Sequence, residues 1–322
     1  MCEYFGKHGC KQFIQGKPIR FGFKNWCGTT TLGYLVWFDF YQGKGQTSEP
    51  GLGLGGSIVT KFAQTLLQHN KQQYHLCFDN FFTSVKTVTM RKDLSVKATG
   101  TVRDNRIEKC PLEKKEDMKK KERGIYDYRV DANNEVMVCR WSDNSVVNVC
   151  SNAVGIEPVS TTTRYSAKEK NKIQVKQPHM IKVYNEHMGG VDRMDQNISK
   201  YRIAIRGKKW YACIVTYCID VAINNAWQLH KICKGKDAMD LLTFRRSIAR
   251  FYLQRYANPS LYGKRGRPRS SVEEARYDMH AHWVIPQSNQ TRCAHCHMKT
   301  TTRCEKCDRG LHVKCFKDYH TQ

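Results

Sequence analysis

The chain has 322 residues, of which 40% are hydrophobic, and it carries a formal net charge of +25. This length allows one large domain together with a small appended one. Lysine and arginine outnumber aspartate and glutamate by 54 to 29, which indicates a polyanionic partner and favours nucleic acid. No apolar run approaches the roughly 20 residues that a membrane-spanning helix requires, so a membrane partner is not expected.

The fifteen cysteines fall into two populations. Five of them lie within residues 293–322, at spacings typical of metal ligands. The other ten are scattered, several of them in apolar runs, where a free thiol behaves as a small hydrophobic group. The opening residues MCEYFGKHGC lack the apolar segment of a secretory signal. We therefore expect reduced cysteines and a reducing compartment.

The first third of the chain alternates strand-like and helix-like patterns. Residues 19–40 predict two strands joined by a Gly-Thr turn, that is, a hairpin. Residues 57–70 have apolar side chains at helical spacing, with Ser57 as the predicted N-cap. A strand that ends at Asp79, a short helix and a strand at 96–102 follow. This order predicts an α/β fold in which helices cover a sheet.

The pattern changes after the mixed-charge residues 113–124, which we interpret as a solvated connection. The stretches YDYRV, EVMVCRW and VVNVCS predict a small antiparallel meander, and the polar residues 159–172 predict a loop. Residues 179–258 predict helices, including a long and largely buried one from Ala212. A linker rich in proline, glycine, arginine and serine precedes the cysteine cluster.

The glycine-rich stretch GLGLGG at 51–56 formally matches the G-x-G-x-x-G pattern of dinucleotide-binding proteins. It follows SEP and not a strand, and no βαβ unit surrounds it. We therefore expect no nucleotide cofactor and predict that these glycines form a flexible segment that leads into the helix.

Three acids are candidates for a functional site. Asp79 directly follows a predicted strand, and functional groups of α/β sheets gather at the carboxyl ends of strands. Asp192 and Asp195 are three residues apart, so they share one face if the segment is helical. Taken singly, each has an ordinary structural interpretation, since Asp-Asn pairs form turns and acids favour helix N-termini.

Taken together, CFDNFFTS around Asp79 and GGVDRMDQ around Asp192 resemble the piggyBac transposase family. The stretches QFIQGKPIRFGFKNW, ATGTVRDNR, CSNAVG and YRIAIRGKKWY extend the resemblance almost end to end, particularly to the domesticated piggyBac transposable element-derived proteins of animals. The resemblance implies an RNase H-like catalytic core with an inserted β-rich domain and a cysteine-rich C-terminal domain that binds transposon-end DNA. It also implies phosphodiester hydrolysis and strand transfer by two Mg²⁺ ions held by three aspartates.

On this resemblance, Asp79 corresponds to the second metal-binding acid, Asp192 to the third and Asp195 to an accessory carboxylate. The family's first aspartate lies in an Asp-Glu-x-Met stretch whose methionine corresponds to Met1, so it would precede the present sequence. We therefore expect an N-terminally truncated relative that binds DNA but is catalytically inactive, with Mg²⁺ needed only if activity survives. Two alternatives stay open: an active divalent-metal-dependent recombinase, and a zinc-module reader of chromatin proteins.

The resemblance and the composition together predict five segments. They are the first part of the RNase H-like core (1–110), the β-rich insertion (111–178), the helical remainder of the core (179–258), a basic linker (259–290) and a small zinc domain (291–322).

The cysteine-rich residues have spacings that predict two structural zinc ions. The pattern is C-x2-C, C-x2-C and H-x2-C followed by a histidine, and its members are Cys293, Cys296, Cys304, Cys307, His312, Cys315 and His320. In a cross-braced arrangement similar to that of PHD and RING modules, the first C-x2-C pair joins the H-x2-C pair, and the second joins His320. The eighth ligand is unassigned, with His295 and His297 as candidates. So small a domain requires its metal to fold.

The linker contains GKRGRPR, whose Arg265, Gly266 and Arg267 resemble an AT-hook. Glycine removes bulk so that two arginines can lie along a narrow minor groove. The other interpretations are a nuclear-localisation signal and a charged linker. The first two both predict a nuclear protein.

A second basic stretch follows the predicted acid-bearing helix. It combines Arg202, Arg206, Lys208 and Lys209 with Trp210, a mixture that is suited to a phosphate backbone and equally typical of a solvated helix face. The expected partner is double-stranded DNA, either transposon terminal repeats or AT-rich sites, and a homodimer is left open.

Overall fold

The computed structural model describes residues 1–43, 49–93, 96–167, 169–205, 207, 209–256 and 275–321. The chain divides into two compact units, Met1–Leu242 and Thr243–Gln322. The fold is mixed α/β, as predicted.

The secondary structure of the first unit begins with short strands and ends in helices. Its strands are β1 (Cys2–Glu3), β2 (Gln12–Phe13), β3 (Phe21–Phe23), β4 (Asn25–Thr29), β5 (Leu35–Phe40), β6 (Tyr74–Phe78), β7 (Val96–Thr101), β8 (Tyr126–Asp131), β9 (Val136–Ser142), β10 (Val146–Ser151), β11 (Ser160–Ser166) and β12 (Asn171–Gln177). Its helices are α1 (Gly53–His69), α2 (Val85–Asp93), α3 (Lys115–Met118), α4 (His179–His187), α5 (Gly190–Lys200) and α6 (Ala212–Lys234).

A five-stranded sheet with the order β6-β7-β10-β9-β8 forms the centre of this unit. Strands β6 and β7 are parallel and are connected through α2, whereas the other neighbours are antiparallel. Side chains alternate between two cores along β9: Val138 packs with Val88 of α2, and Trp141 packs with Met180 of α4. Both faces of the sheet are therefore covered, which explains why β9 and β10 are almost wholly buried.

Residues 111–178, predicted as a β-rich insertion, contain the predicted meander, but β8, β9 and β10 extend the sheet of β6 and β7. The predicted loop at 159–172 is wrong. Most of it belongs to β11 and β12, which pair along seven residues. Because much of this hairpin is exposed, its strands carry threonine, lysine and glutamine, and they lack the apolar alternation by which a strand is recognised.

The first strands form two small sheets, ordered β1-β3-β2 and β4-β5. The predicted hairpin at 19–40 is confirmed for β4 and β5, but Phe21–Phe23 pairs elsewhere, as the central strand of the three-stranded sheet. Gly22 permits that pairing, because a Cβ at this position would lie 1.9 Å from the carbonyl oxygen of Cys2.

Helix α1 begins at Gly53, four residues before the predicted N-cap. Ser57 lies inside the helix, where its hydroxyl donates to the carbonyl of Gly53 at 2.8 Å and accepts from the amide of Glu49 at 2.7 Å. The glycines predicted to be a flexible lead-in therefore form the first helical turn. Gly55 is needed there, since a Cβ would lie 2.4 Å from the carbonyl oxygen of Phe81.

Helices occupy residues 179–256 as predicted, but α6 is less buried than its apolar sequence suggests. Its buried residues are Tyr217, Asp220, Val221, Asn224 and Gln228, whereas Val215, Ile219 and Leu229 are exposed. The prediction of a largely buried helix is therefore wrong. No helix in the described part of the chain is both long enough and apolar enough to cross a bilayer.

The second unit includes most of α7 (Leu241–Tyr256) and a small sheet ordered β13-β14-β15. The strands are β13 (Val284–Arg292), β14 (Lys299–Cys304) and β15 (Arg309–Gly310), and α8 (Phe316–Thr321) follows them. Its buried cluster consists of Leu311, Tyr319 and four cysteines, and Cys296 packs against it, partly buried. Apolar side chains alone make a small core here, so the cysteines must contribute to the stability of this unit.

Helix α5 lies against the β4–β5 hairpin through a glycine pair. Gly189 caps the helix in the left-handed conformation, with φ of +92°. A Cβ on Gly190 would lie 2.3 Å from the carbonyl oxygen of Thr30 and 2.5 Å from Oγ1 of Thr29. The absence of a side chain thus sets how closely this acid-bearing helix approaches the hairpin.

We expect Gly190→Ala to destabilise the first unit by about 1–3 kcal/mol, because backbone atoms of the hairpin must move to admit the methyl group. Urea unfolding followed by tryptophan fluorescence measures the change. Gly9→Ala is the matched control: no atom lies within 4 Å of its added Cβ, so its effect should stay within about 0.5 kcal/mol. Equal stability of the two variants would contradict the close approach.

Candidate metal centres and acidic residues

Eight cysteine and histidine side chains of the second unit form two groups, and within each group the ligand atoms all lie within 4.8 Å of one another. Group 1 consists of Cys293, Cys296, His312 and Cys315. Group 2 consists of His282, Cys304, Cys307 and His320. Along the chain, the three C-x2-C and H-x2-C pairs belong in turn to group 1, group 2 and group 1, and His282 and His320 of group 2 lie on either side of them. The arrangement is therefore cross-braced. The structure thus brings together all seven of the ligands predicted from the sequence.

Two C-x2-C turns supply four of the thiols with the same backbone geometry. After β13, the amide of His297 donates to the carbonyl of Cys293 at 2.8 Å, and His297 has φ of +61°. After β14, the amide of Asp308 donates to the carbonyl of Cys304 at 3.0 Å, and Asp308 has φ of +50°. A left-handed residue therefore closes each turn, and both sulfur atoms of each turn belong to one group.

The histidines have the orientation of metal ligands. His312 Nε2 lies 3.0 Å from the carbonyl oxygen of Lys299, and its Nδ1 lies 3.2 Å from Sγ of Cys296. His320 Nδ1 lies 3.0 Å from the carbonyl oxygen of Arg276, whereas its Nε2 is buried and has no hydrogen-bond partner among the described residues. An acceptor on one ring nitrogen fixes the tautomer and leaves the other nitrogen available to a cation. The residues present therefore fit a bound metal.

His282 is the ligand that the sequence did not reveal. It completes group 2, whereas the candidates His295 and His297 are exposed and belong to neither group. Its Nε2 lies 3.0 Å from Oδ1 of Asp278. It lies outside every C-x2-C or H-x2-C pair, and only the pairing of β13 with β14, which joins Val284 to Cys304, brings it to the thiols.

The two groups differ in the pKa of their thiols. Burial raises the pKa of Cys293, but hydrogen bonds from the amides of Cys296, His312 and His295 lower it to about 6 overall. In group 2, burial and the neighbouring Cys304 raise the pKa of Cys307 to about 12. Two adjacent thiolates repel each other, and a bound cation removes this penalty. Metal binding is thus coupled to ionisation of the thiols.

Asp79 lies one residue beyond β6, and its side chain is exposed. Its Oδ1 accepts a hydrogen bond from the amide of Phe81 at 2.8 Å, which makes the Asp-Asn pair a side-chain-stabilised turn. Burial lowers the pKa of Lys24, and the Asp79 carboxylate opposes that shift. Asp79 therefore directly follows its strand, as predicted, and lies near a lysine.

Helix α5 carries Asp192 in its exposed first turn and Asp195, half-buried, one turn later. Burial raises the pKa of Cys27 in β4 to about 11, and the charge of Asp195 contributes to that increase. Asp195 also raises the pKa of Tyr217, for which burial is again the main cause. The two helix acids therefore have different surroundings: Asp195 faces the β4–β5 hairpin, and Asp192 faces solvent.

Asp79, Asp192 and Asp195 do not share a metal-binding group in the described part of the chain. The groups of three or more ligand side chains found there are the two Cys/His groups. Two-metal phosphoryl transfer requires carboxylates that hold two cations about 4 Å apart. Neither Cys/His group includes Asp79, Asp192 or Asp195.

Two of the predicted DNA-binding residues line a cavity of about 730 Å³ in the first unit. Arg202 lies there 3.9 Å from the carboxylate of Glu3, and Lys209 is exposed beside it. The other predicted residues lie outside the described part of the chain. They are Arg206, Lys208, Arg265, Gly266 and Arg267.

Comparison with known proteins identifies relatives across the whole chain. A family model described as Transposase IS4 matches residues 1–227. The chain is 52% identical over 323 residues to PiggyBac transposable element-derived protein 3 of Homo sapiens, covering 100% of this chain and 54% of that protein. It is 53% identical over 321 residues to PiggyBac transposable element-derived protein 2 of Homo sapiens, covering 99% and 54%. The chain thus spans about half the length of these curated relatives.

Among solved structures, the chain resembles the cryo-EM structure of a piggyBac transposase synaptic complex with hairpin DNA. The TM-score is 0.56 at 18% sequence identity, and the match covers 97% of this chain and 66% of that one. At this identity the likeness concerns the fold.

We expect His282→Ala to lower the metal content of the purified chain from two ions towards one, because group 2 would keep only three ligands. Elemental analysis after dialysis measures the stoichiometry. His295→Ala is the matched control, since His295 is exposed and lies outside both groups, and it should retain two ions. Loss of metal from the control variant instead would show that the eighth ligand is misassigned.

Proposed function

This chain belongs to the piggyBac transposase family, and we propose that it is a transposase-derived protein that binds double-stranded DNA without cutting it. The family resemblance predicted from the sequence is confirmed. The observation that carries the DNA-binding proposal is the surplus of 25 positive charges on a chain with this fold. Its structural neighbour is a transposase complex with hairpin DNA, which supports DNA as the polyanion.

The proposed architecture is an RNase H-like core followed by a cross-braced zinc domain. The match to a transposase fold supports the core, and the donor set supports zinc. Group 1 offers three thiols and one imidazole, and group 2 offers two of each. Four such soft donors suit tetrahedral Zn²⁺ and not Mg²⁺, which requires oxygen ligands. Two zinc ions would thus be structural, since each group already provides four protein ligands.

The absence of cutting is the second half of the proposal. It is supported by the metal-ligand groups of the described residues, neither of which contains Asp79, Asp192 or Asp195. A pair of carboxylates supplies too little negative charge and too few oxygen ligands for two Mg²⁺ ions. An active recombinase therefore requires a further carboxylate beside these acids.

The target and the compartment are also proposals. Transposon terminal repeats or AT-rich sites are the proposed duplex targets, bound by a monomer or a homodimer. A nuclear location is supported by the basic residues 263–269 and by the nature of the partner. Fluorescence imaging of the tagged chain tests it, and exclusion from the nucleus would refute it.

We expect the affinity for duplex DNA to fall steeply with salt, because neutralised phosphates release bound counterions. A plot of log affinity against log salt, measured by fluorescence anisotropy, should be linear with a negative slope. Lys209→Gln should reduce that slope by about 0.9, the value for one phosphate contact. The exposed Lys120, which is paired with Asp117, provides the control variant Lys120→Gln. An affinity that is flat across the titration would falsify electrostatic DNA binding.

We expect the purified chain to leave supercoiled plasmid intact in the presence of Mg²⁺, since neither metal-ligand group of its described residues contains the three acids. Gel electrophoresis of the plasmid measures nicking. If nicking occurs, disappears in Asp79→Asn and persists in Asp117→Asn, the acidic site is functional and the second half of the proposal is wrong. Asp117 is an exposed acid of α3 and serves as the matched control.

A further inference from the structure

Three phenylalanines lie exposed at one end of the small β1-β3-β2 sheet. The exposed fractions are 72% for Phe5, 59% for Phe13 and 39% for Phe21. The opposite end of the same sheet buries Cys2 and Phe23 against α5 and α6. The exposed rings are therefore not needed to hold the sheet to the core. We call Phe5, Phe13 and Phe21 the aromatic platform.

The rings of the platform lie side by side. Phe13 and Phe21 face each other across β2 and β3, with centroids 4.9 Å apart and an interplanar angle of 36°. Phe5 continues the row, with its centroid 6.4 Å from that of Phe21. The pairing of β2 with β3 fixes Phe13 and Phe21, so flat ligands could stack on the exposed faces of the packed rings without a rearrangement of these strands.

A lysine is placed within the platform. Its ammonium, on Lys11, lies 5.8 Å from the centroid of Phe21 and donates to the carbonyl of Phe5 at 3.3 Å. The surrounding sequence is strongly basic, since residues 1–24 contain five lysine or arginine residues against one acid. The basic residues are Lys7, Lys11, Lys17, Arg20 and Lys24, and the acid is Glu3.

The platform continues into the 730 Å³ cavity described above. Phe5 and Gly6 line one wall of that cavity, and Arg202 and Lys209 line another. A ligand that stacks on the platform can therefore extend along Phe5 towards a second pair of positive charges. Flat rings and cations thus alternate along one path, as in grooves that hold single-stranded nucleic acids.

The chemistry of this path distinguishes between possible occupants. A duplex presents phosphates outwards and keeps its bases stacked inside, so exposed rings gain nothing from it. A protein partner is disfavoured, because lysine is depleted at the centres of protein interfaces. Unpaired nucleotides match both the exposed rings and the lysine, since each base offers a flat face and each nucleotide carries a phosphate.

We propose that the aromatic platform and the adjoining cavity form a site for single-stranded DNA, in which bases stack on Phe5, Phe13 and Phe21 and phosphates pair with Lys11, Arg202 and Lys209. The proposal rests on the proposed DNA binding and deepens it by adding a site for unpaired nucleotides. The platform selects unpaired DNA by stacking, whereas duplex binding depends on charge alone.

The test uses the full chain and a fluorescent thymidine oligomer of about 12 nucleotides, a length within the usual range of such sites. Phe13→Ala and Phe21→Ala should each weaken binding of the oligomer about tenfold, while affinity for a duplex of the same length is unchanged. Because both rings are exposed, thermal unfolding of the variants should match that of the parent chain. Tyr165→Ala removes an exposed ring from β11, 63% exposed, and should leave both affinities unchanged.

A stacking signal gives an independent readout. Phe13→Trp keeps a flat ring, so it should retain affinity, and the added indole fluorescence should be quenched when the thymidine oligomer binds. Lys11→Gln should reduce the salt dependence by about 0.7, the value for one contact with a single strand. The alanine variants should leave the salt dependence unchanged.

Three outcomes would overturn the proposal. They are unchanged oligomer affinity in both alanine variants, an equal loss of oligomer and duplex affinity, and tighter binding of a uridine RNA oligomer of the same length. If the parent chain binds the oligomer but not the duplex, the proposed function is refuted and the proposed single-strand site is not. The reverse result would refute the platform alone.

Discussion

The surplus of positive charge is the main physical constraint on the structure of the first unit. Arg140, only 5% exposed, donates to Asn148 at 2.7 Å and to Asp104 at 2.5 Å, so its charge is neutralised inside the fold. Asp143 is held in the same way by Arg123 and Arg164. Burying an unpaired ion is strongly unfavourable, and the acid of each of these pairs lies beside an arginine that is partly or wholly buried. Many of the remaining lysines and arginines stay on the surface, where a polyanion can neutralise them together.

The second unit is constrained differently, because it has too few apolar side chains in its buried cluster to fold by hydrophobic burial alone. Four cysteines, Leu311 and Tyr319 form its buried cluster, and burial raises the pKa of two of these thiols, those of Cys307 and Cys315. A metal ion at each group would hold together segments that the small sheet connects only weakly. The hydrogen bonds on the outer nitrogens of His312 and His320 show that the ligand positions are set by the surrounding backbone.

In the proposed function, the first unit would offer DNA two kinds of contact. Arg202 and Lys209 provide charge, which is indifferent to base pairing, and the aromatic platform provides flat faces, which only unpaired bases can reach. The acids of the ancestral cutting site lie elsewhere in the same unit, on the loop after β6 and on α5. The charge and the rings do not depend on these acids, so the proposed DNA binding does not require a functional cutting site.

Much of this protein could be predicted from the sequence by itself: its motifs indicated the family by resemblance, and local chemistry indicated the strand before Asp79, the helices from residue 179 and seven of the eight Cys/His side chains. Those features depend on residues close together in the chain, as in the C-x2-C pairs, or on apolar alternation along one element. Tertiary structure alone decided the rest. His282 reaches Cys304 only because β13 pairs with β14, the meander joins the sheet of β6 and β7 through β10, and half of α6 is exposed because neighbouring elements cover only one of its faces. Each of these features depends on contacts between residues that are far apart in the sequence. A local sequence pattern does not indicate the free energy of such contacts.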